Sequence, residues 1–385
     1  PEKVGGWSSL VTDTIVGVAR KQHAFVDNDG NRYVALGTDK FLLIYFEGQL
    51  YDITPLKTTL TSATIATTSG SPTCTITKAA HGVAVGDIVQ LDSVTLPGGT
   101  GFTNADFEDK NFQVISVPTT GTFTINQASN ASGTVSTGGS LSIKPYEPVG
   151  PRAQTYGYGW GMDPWSNGNW GEAAAASDVT LEPGLWSLDN FGEVLVATIL
   201  NGKTFTWDSG ISQRLTTRAS TTTNNFATTN NPTKTRVTLI SPTTRHLIHL
   251  GTETIVGTPD SQDDMFIRFS DQEDINTYSP SATNTAGTQR LQDGTKIIGA
   301  IKAKEVILIW TDNALYTMKF IGSPFTFAVE QVGTNCGLIG QNAVIEIDGA
   351  AFWLSPKGFF LYDGTVKSLP CAVEDFVFDN FDTTK

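Results

Sequence analysis

The sequence predicts an all-β chain: a propeller-like array of short antiparallel hairpins with a small β-barrel or sandwich domain inserted into it. Three observations carry this expectation. Charged residues make up only 16% of the chain against 39% hydrophobic, with 38 glycines among 385 residues, a balance that favours strands and turns over solvated helices. One unit recurs, in which an apolar strand runs into a Gly or Asn turn and then into a strand with an aromatic residue and often an Asp. Helical periodicity is nearly absent.

The recurring unit is readable four times. Phe41-Leu42-Leu43-Ile44-Tyr45 passes through Gly48 to Tyr51-Asp52, and Val194-Leu195-Val196-Ala197 passes through Asn201-Gly202 to Trp207-Asp208. Val306-Ile307-Leu308-Ile309-Trp310 passes through Asp312-Asn313 to Leu315-Tyr316, and Ala351-Phe352-Trp353-Leu354 passes through Lys357-Gly358 to Tyr362-Asp363-Gly364. Such turn residues tolerate the left-handed backbone of a tight hairpin, and the β-branched and aromatic residues cover a packed sheet face. Further hairpins are expected around Asp29-Gly30 and within 245–256. Degenerate repetition of hairpins fits a radial array. Because the period is irregular, a β-sandwich or several small β units is the alternative.

Between Leu56 and Ile143 the composition turns to Thr, Ser and Gly. Alternating strands are expected there at Ile88-Val89-Gln90-Leu91, Phe112-Gln113-Val114-Ile115 and Thr122-Phe123-Thr124-Ile125. The domain reading is therefore 1–55 and 146–385 for the propeller-like part, with 56–145 as the inserted module. The one helical candidate follows Pro370, where Val373, Phe376, Val377 and Phe381 share a face, as expected of a short packing helix. A start at Pro1 without Met and an end at Lys385 without a terminal element read as a piece of something longer, so the propeller-like part has room to continue.

The formal net charge of −13 argues against a protein that grips nucleic acid, since gripping needs Lys and Arg to replace phosphate counterions. An acidic wall past which DNA slides remains compatible, beside the plainer role of acidity in solubility. Cys74, Cys336 and Cys371 form no CxxC pair and indicate neither a disulfide scaffold nor a zinc site, which fits synthesis in a reducing host cytoplasm. No apolar run has the length of a membrane helix, so no membrane insertion is expected.

Catalytic chemistry is not signalled. No GxSxG, Walker loop or HExxH motif occurs, and no cofactor, metal site or catalytic residue is expected. His246 and His249 have HxxH spacing but lie three apart on a strand, which points them to opposite faces. Asp27-Asn28-Asp29-Gly30-Asn31 resembles the start of a calcium loop, with its Gly misplaced and the closing Glu absent, and reads as a turn. The acidic groups Asp260, Asp263, Asp264 and Asp271, Glu273, Asp274 are candidate channel-facing loops, with a cation site, a glycosidase-like carboxylate pair and plain solvation as alternatives. The tract Tyr156, Tyr158, Trp160, Trp165 and Trp170 is a candidate interface loop, since aromatics dominate interface energetics; a loop packed on its own domain is the alternative.

Ile267-Arg268-Phe269-Ser270-Asp271-Gln272-Glu273-Asp274, Thr283-Asn284-Thr285-Ala286-Gly287, Ile309-Trp310-Thr311-Asp312 and Gly333-Thr334-Asn335-Cys336-Gly337-Leu338-Ile339-Gly340 together resemble a family of bacteriophage virion structural proteins. Trp186-Ser187-Leu188-Asp189-Asn190-Phe191-Gly192-Glu193 and Tyr51-Asp52-Ile53-Thr54-Pro55 resemble the same family, whose nearest functional members are the tail nozzle or tail hub proteins of short-tailed phages. The resemblance covers most of 1–55 and 146–381, and the insert is similar to a small β module of phage tail proteins. It implies a non-enzymatic virion-tail component, a homohexameric ring around the DNA ejection channel. Its implied partners are portal-proximal adaptors and tail fibres or spikes, with double-stranded DNA in transient passage. An adaptor or hub position is the alternative, as is a glycan-binding or glycan-cleaving propeller that uses the tryptophans as a stacking platform.

Overall fold

The computed structural model describes residues 14–154, 182–221 and 231–381. Two compact units emerge, one formed by Pro1–Ile53 with Val149–Lys385 and the other by Thr54–Pro148.

The first unit is a five-bladed β-propeller. Blade 1 contains β1 (Ala19–Val26), β2 (Arg32–Thr38), β3 (Leu42–Phe46) and β4 (Gln49–Asp52). The second unit then follows with β5 (Leu60–Thr67), β6 (Thr73–Thr77), β7 (Ile88–Thr95), β8 (Lys110–Gln113), β9 (Ser116–Thr119), β10 (Thr122–Asn126) and β11 (Val135–Pro145). Blade 2 is three-stranded, β12 (Trp186–Phe191), β13 (Val194–Ile199) and β14 (Thr204–Asp208), and its outer edge is extended by a bridge between Thr206 and Ser220. Blade 3 holds β15 (Thr235–Ile240), β16 (Leu247–Thr252), β17 (Phe266–Phe269) and β18 (Gly287–Arg290). Blade 4 holds β19 (Ile297–Lys302), β20 (Ile307–Thr311), β21 (Ala314–Gly322) and β22 (Thr326–Thr334), and blade 5 holds β23 (Val344–Ile347), β24 (Ala350–Ser355), β25 (Gly358–Tyr362) and β26 (Val366–Leu369). Every blade is an antiparallel meander in sequence order.

All four readable hairpins fall in these blades, as β3–β4, β13–β14, β20–β21 and β24–β25. Their turns depend on left-handed backbone: Glu47-Gly48 sits at φ 47° and 86°, and Asn201 at 55°. At the first hairpin, Asp27 accepts hydrogen bonds from the backbone of Asp29 and Asn31, from the Asn31 amide and from the Tyr33 hydroxyl. This ties β1 to β2 as a turn.

Aromatic clusters join the blades. Between blades 1 and 2, Trp207 lies edge-on to Tyr33 and Phe25 at 5.6 and 6.4 Å, and its indole N–H donates to the carbonyls of Arg214 and Thr217. Trp186 donates to the Thr38 carbonyl at 2.8 Å. Buried indoles stabilise a core only when the N–H has a partner, so both rings fix the orientation of the blades they touch. Blades 3 and 4 share a second cluster around Ile267, Phe269, Ile309 and Tyr316, and blades 4 and 5 a third around Trp310 and Trp353. A smaller cluster of Val196, Ile240, Leu247 and Tyr278 joins blades 2 and 3.

Blades 5 and 1 meet differently. Near the axis Lys21 Nζ donates to Asn342 Oδ1 at 3.1 Å, and Asn342 Nδ2 donates to the Arg20 carbonyl at 2.9 Å. Farther out, Phe352, Leu354 and Phe359 on blade 5, and Val34, Leu36, Leu43 and Tyr45 on blade 1, stay half-exposed.

The inserted unit is a single seven-stranded sheet, ordered β8-β7-β11-β5-β6-β10-β9 and curled into a half-barrel. Register shifts along the β11–β5 and β11–β7 pairings supply the bends that curl it. Its concave face buries Ile65, Leu91, Phe107, Phe123 and Ile143. The helix expected after Pro370 forms as α1 (Glu374–Asp379), but the expected packing face does not pack: Val373 and Phe376 are exposed, and Phe378 instead rests on Phe359 at 6.2 Å. Six residues are too few to carry a buried stripe against a neighbour.

The close approach at Gly37 makes the first blade interface testable. A Cβ there would lie 2.5 Å from the Trp186 ring, so Gly37→Ala is expected to destabilise the propeller by about 1–3 kcal/mol, the cost of overpacking a tight core, read as a lower midpoint in chemical denaturation.

Candidate functional site

The innermost strands β1, β12, β15 and β19, with the segment leading into β23, surround two cavities on the propeller axis. The larger, about 500 Å³, is lined by Arg20, Glu182, Arg236, Lys296, Gln341 and Asn342 among others. The smaller, about 300 Å³, is lined by Lys21, His23, Ser187, Asp189, Lys302 and Gln341 among others. Gln341 borders both and donates from Nε2 to Ser187 Oγ at 2.8 Å. Volumes of this order hold a small molecule or one sugar residue, and every blade contributes to the lining.

Elsewhere in the propeller the strands bury apolar side chains; at the axis, polar residues occupy the inner edge of each blade. Glu182 is gripped from two sides, by Arg236 Nη2 at 2.8 Å and by Lys296 Nζ. Burial pushes the Glu182 carboxyl up, but the two cations outweigh it and hold the group below its ordinary value of 4.5. Arg236 is fixed further by the Ile297 carbonyl, Asn201 and Asp264. In the smaller cavity Asp189 accepts from Lys302 at 2.6 Å and from the Ile240 backbone N–H at 2.7 Å. His23 Nε2 lies 2.9 Å from Asn190 Oδ1. Burial lowers the Lys21 ammonium against the opposing pull of Asp189.

The axis is therefore cationic in an acidic chain. Arg20, Lys21, Arg236, Lys296 and Lys302 face only Glu182 and Asp189 across the two linings, whereas the whole chain carries −13. Both axial carboxylates are engaged by cations, which suits them to position Arg and Lys side chains.

The acidic residues singled out in the sequence separate into two places. Asp260, Asp263 and Asp264 precede β17 and Asp271, Glu273 and Asp274 follow it, so the strand holds the groups apart. Most are tied down locally. Asp263 pairs with Arg290 at 2.6 Å, Glu273 with Arg245 at 3.2 Å, and Asp264 with Arg236 at 3.5 Å. Asp271 accepts from the backbone and hydroxyl of Thr285, and Asp274 from Asn276 N and the Thr277 hydroxyl. Asp260 lies exposed in a short 3-10 turn. Tyr156, Tyr158, Trp160, Trp165 and Trp170 lie outside the described residues.

His246 and His249 sit on opposite sides of blade 3. His246 bonds Thr244 and Thr285 and packs beside Phe327 at 5.1 Å, whereas His249 meets the Tyr278 hydroxyl at 3.0 Å. Burial pushes His246 down to about 4 and His249, with the added repulsion of Arg268, to about 3. Both are neutral core residues at pH 7.

The axial residues were not singled out in the sequence. Their signal is faint but present: in blades 1 to 4 charged residues lie beside or within the strand that precedes the apolar hairpin, as in Thr235-Arg236-Val237, Lys296-Ile297-Ile298 and Leu188-Asp189-Asn190. Such a charge costs free energy in a sheet core, and the fold avoids that cost by placing it on the axis.

No protein-family model matches the sequence, and no curated protein matches it. Among solved structures the chain is similar to the phage phi92 endosialidase, with a TM-score of 0.27 and 16% identity over 86% of this chain and 52% of that one. The chain thus spans about half the length of that structure. The expectation of a chain without enzymatic activity is corrected here, because a protein it resembles is named as an enzyme. At that TM-score the likeness assigns no activity of its own.

Two outcomes follow from the ionisable groups. A carboxyl held below its ordinary value stabilises the fold above that value and ceases to do so as the pH falls through the folded one. Glu182→Gln should therefore lower stability by about 1.5–3 kcal/mol at pH 7, the range for a hydrogen bond to a charged group, and the difference from the parent should shrink in denaturation curves as the pH falls below the ordinary carboxylate value. The two histidines bind a proton in the unfolded chain near pH 6.5 but not when folded, so stability should fall as the pH drops from about 6.5 to about 4. His249→Gln should flatten that slope.

Proposed function

We propose that this chain is a phage-tail-associated β-propeller that recognises a glycan in its axial cavity. The observation that carries the reading is the 500 Å³ cavity to which all five blades contribute hydrogen-bonding or apolar lining. Converging polar groups on an otherwise apolar scaffold are what a small-molecule site requires. Apolar side chains such as Ile298, Leu354 and Phe381 border the same space and offer surface to the C–H face of a sugar. The tail association is supported by the resemblance of Ile267–Asp274, Thr283–Gly287 and Gly333–Gly340 to phage virion structural proteins.

A second reading is a conduit subunit, a nozzle or hub forming a homo-oligomeric ring next to portal-proximal proteins in the virion tail. The half-exposed apolar faces of blades 1 and 5 favour it, since permanent assemblies bury such surface. The axial cavities are of small-molecule size, so in this reading the DNA path lies between subunits and not along the propeller axis.

A glycan array combined with a reducing-sugar assay separates the two readings. Binding to a defined set of glycans, lost in Arg236→Met and Gln341→Ala, is the expected outcome, and the reducing-sugar arm reports whether bound glycan is cleaved. An array without any binding, together with a stable ring in light scattering, would sink the glycan reading in favour of the conduit.

A further inference from the structure

Two polar atoms in the axial lining have no protein partner among the described residues: Arg20 Nε, a cationic donor, and Gln341 Oε1, an amide acceptor. Both side chains border the 500 Å³ cavity. A buried donor or acceptor left without a partner costs about 1–3 kcal/mol, which is why such groups mark places where something else completes the bonding.

Arg20 is also unusual among the axial cations. Arg236 pairs with Glu182 and, outside the lining, with Asp264, Lys296 pairs with Glu182, and Lys302 is matched by Asp189. Among the described residues the Arg20 guanidinium has a neutral partner, the Arg152 carbonyl at Nη2, and no carboxylate reaches it. Its neighbour Lys21, in the smaller cavity, bonds the neutral Asn342 amide. A guanidinium presents its donors in a fixed fork that matches a planar oxyanion. The larger cavity carries three cations against one lining carboxylate.

Gln341 adds a second requirement. One end of its amide is held by Ser187 Oγ and the other is free. Nitrogen and oxygen of an amide exchange places without changing its shape, so the free end is an acceptor or a donor; a hydroxyl satisfies it in either state.

We infer that the larger axial cavity is a site for a hydroxylated carboxylate, such as an acidic sugar, with its oxyanion on the Arg20 guanidinium and a hydroxyl on the Gln341 amide. This rests on the glycan reading above and narrows it to acidic ligands. The unpaired donor and acceptor call for polar groups that any sugar hydroxyl supplies; the local excess of positive charge is what a neutral sugar would leave unanswered.

The test is saturation-transfer NMR on the full chain with three probes, D-glucuronate, D-glucose and inorganic phosphate, on the parent and on Arg20→Gln. Thermal denaturation of the variant provides the check on folding, and Gln341→Ala is a second variant should Arg20→Gln unfold. Glucuronate is expected to bind at least tenfold more tightly than glucose, with the preference lost in Arg20→Gln and overall affinity weakened in Gln341→Ala. Equal binding of the two sugars would overturn the inference and leave the glycan reading standing. Phosphate binding that depends on Arg20 while neither sugar binds would overturn both, and identify a bare oxyanion site.

Discussion

The propeller depends on one constraint: a blade wedged between two others must be apolar on both faces. A sheet in a sandwich can afford one wet face, and its strands then alternate; here β14, β15, β16 and β20 are buried at every position. Besides Asp208, Arg236 and His249, the polar residues that such strands retain are short hydroxyls, some bonded from strand to strand, as where Thr198 meets Thr204 and Thr238. The large indoles occupy the interfaces, where a flat ring fills the diverging gap; the N–H groups of Trp186, Trp207 and Trp353 each reach a carbonyl, whereas that of Trp310 is buried without a partner among the described residues. Charge is pushed to the inner edge or the loops. Arg268 is the exception inside blade 3, and it is satisfied by the carbonyls of Glu253, Thr254 and Tyr278.

The same constraint explains what could be read in advance. Middle strands are runs of Val, Ile, Leu and aromatics, and their turns carry Gly or Asn at left-handed positions, so the hairpins at Phe41–Tyr45 and Ala351–Leu354 were visible. Outer strands such as β18, with the sequence Gly287-Thr288-Gln289-Arg290, have no such signature because one edge of each faces solvent. The irregular period arises in blade 3, where 13 and 17 residues separate β16 from β17 and β17 from β18, so the number of blades could not be counted from the sequence. The half-barrel was expected as a barrel or sandwich because alternation reports a buried face and not how far the sheet closes. The axial site was illegible for a different reason: its members come from separate blades, one or two at a time, and only closure of the ring brings Arg20 near Gln341.

The charge distribution has a physical logic. Acidic groups around blade 3 lie on solvent-facing loops, where water and local arginines screen them. Cations at the axis sit in a narrow, partly dry space where field lines are focused and screening is weaker. An acidic exterior with a cationic interior gives a molecule that repels bulk polyanions while holding a small one in a confined place. Size then joins charge as a criterion of selection.

The two ends of the inserted half-barrel are stitched together before the chain returns to the propeller. Leu56 bridges Tyr146, Lys57 N donates to the Pro145 carbonyl, and Glu147 N donates to the Pro55 carbonyl. A module whose entry and exit strands clasp one another presents its host with a single narrow stem, and the host needs only a short loop to carry it. This is the geometry of a self-contained module: entry and exit run side by side, so both covalent links to the propeller leave from one place.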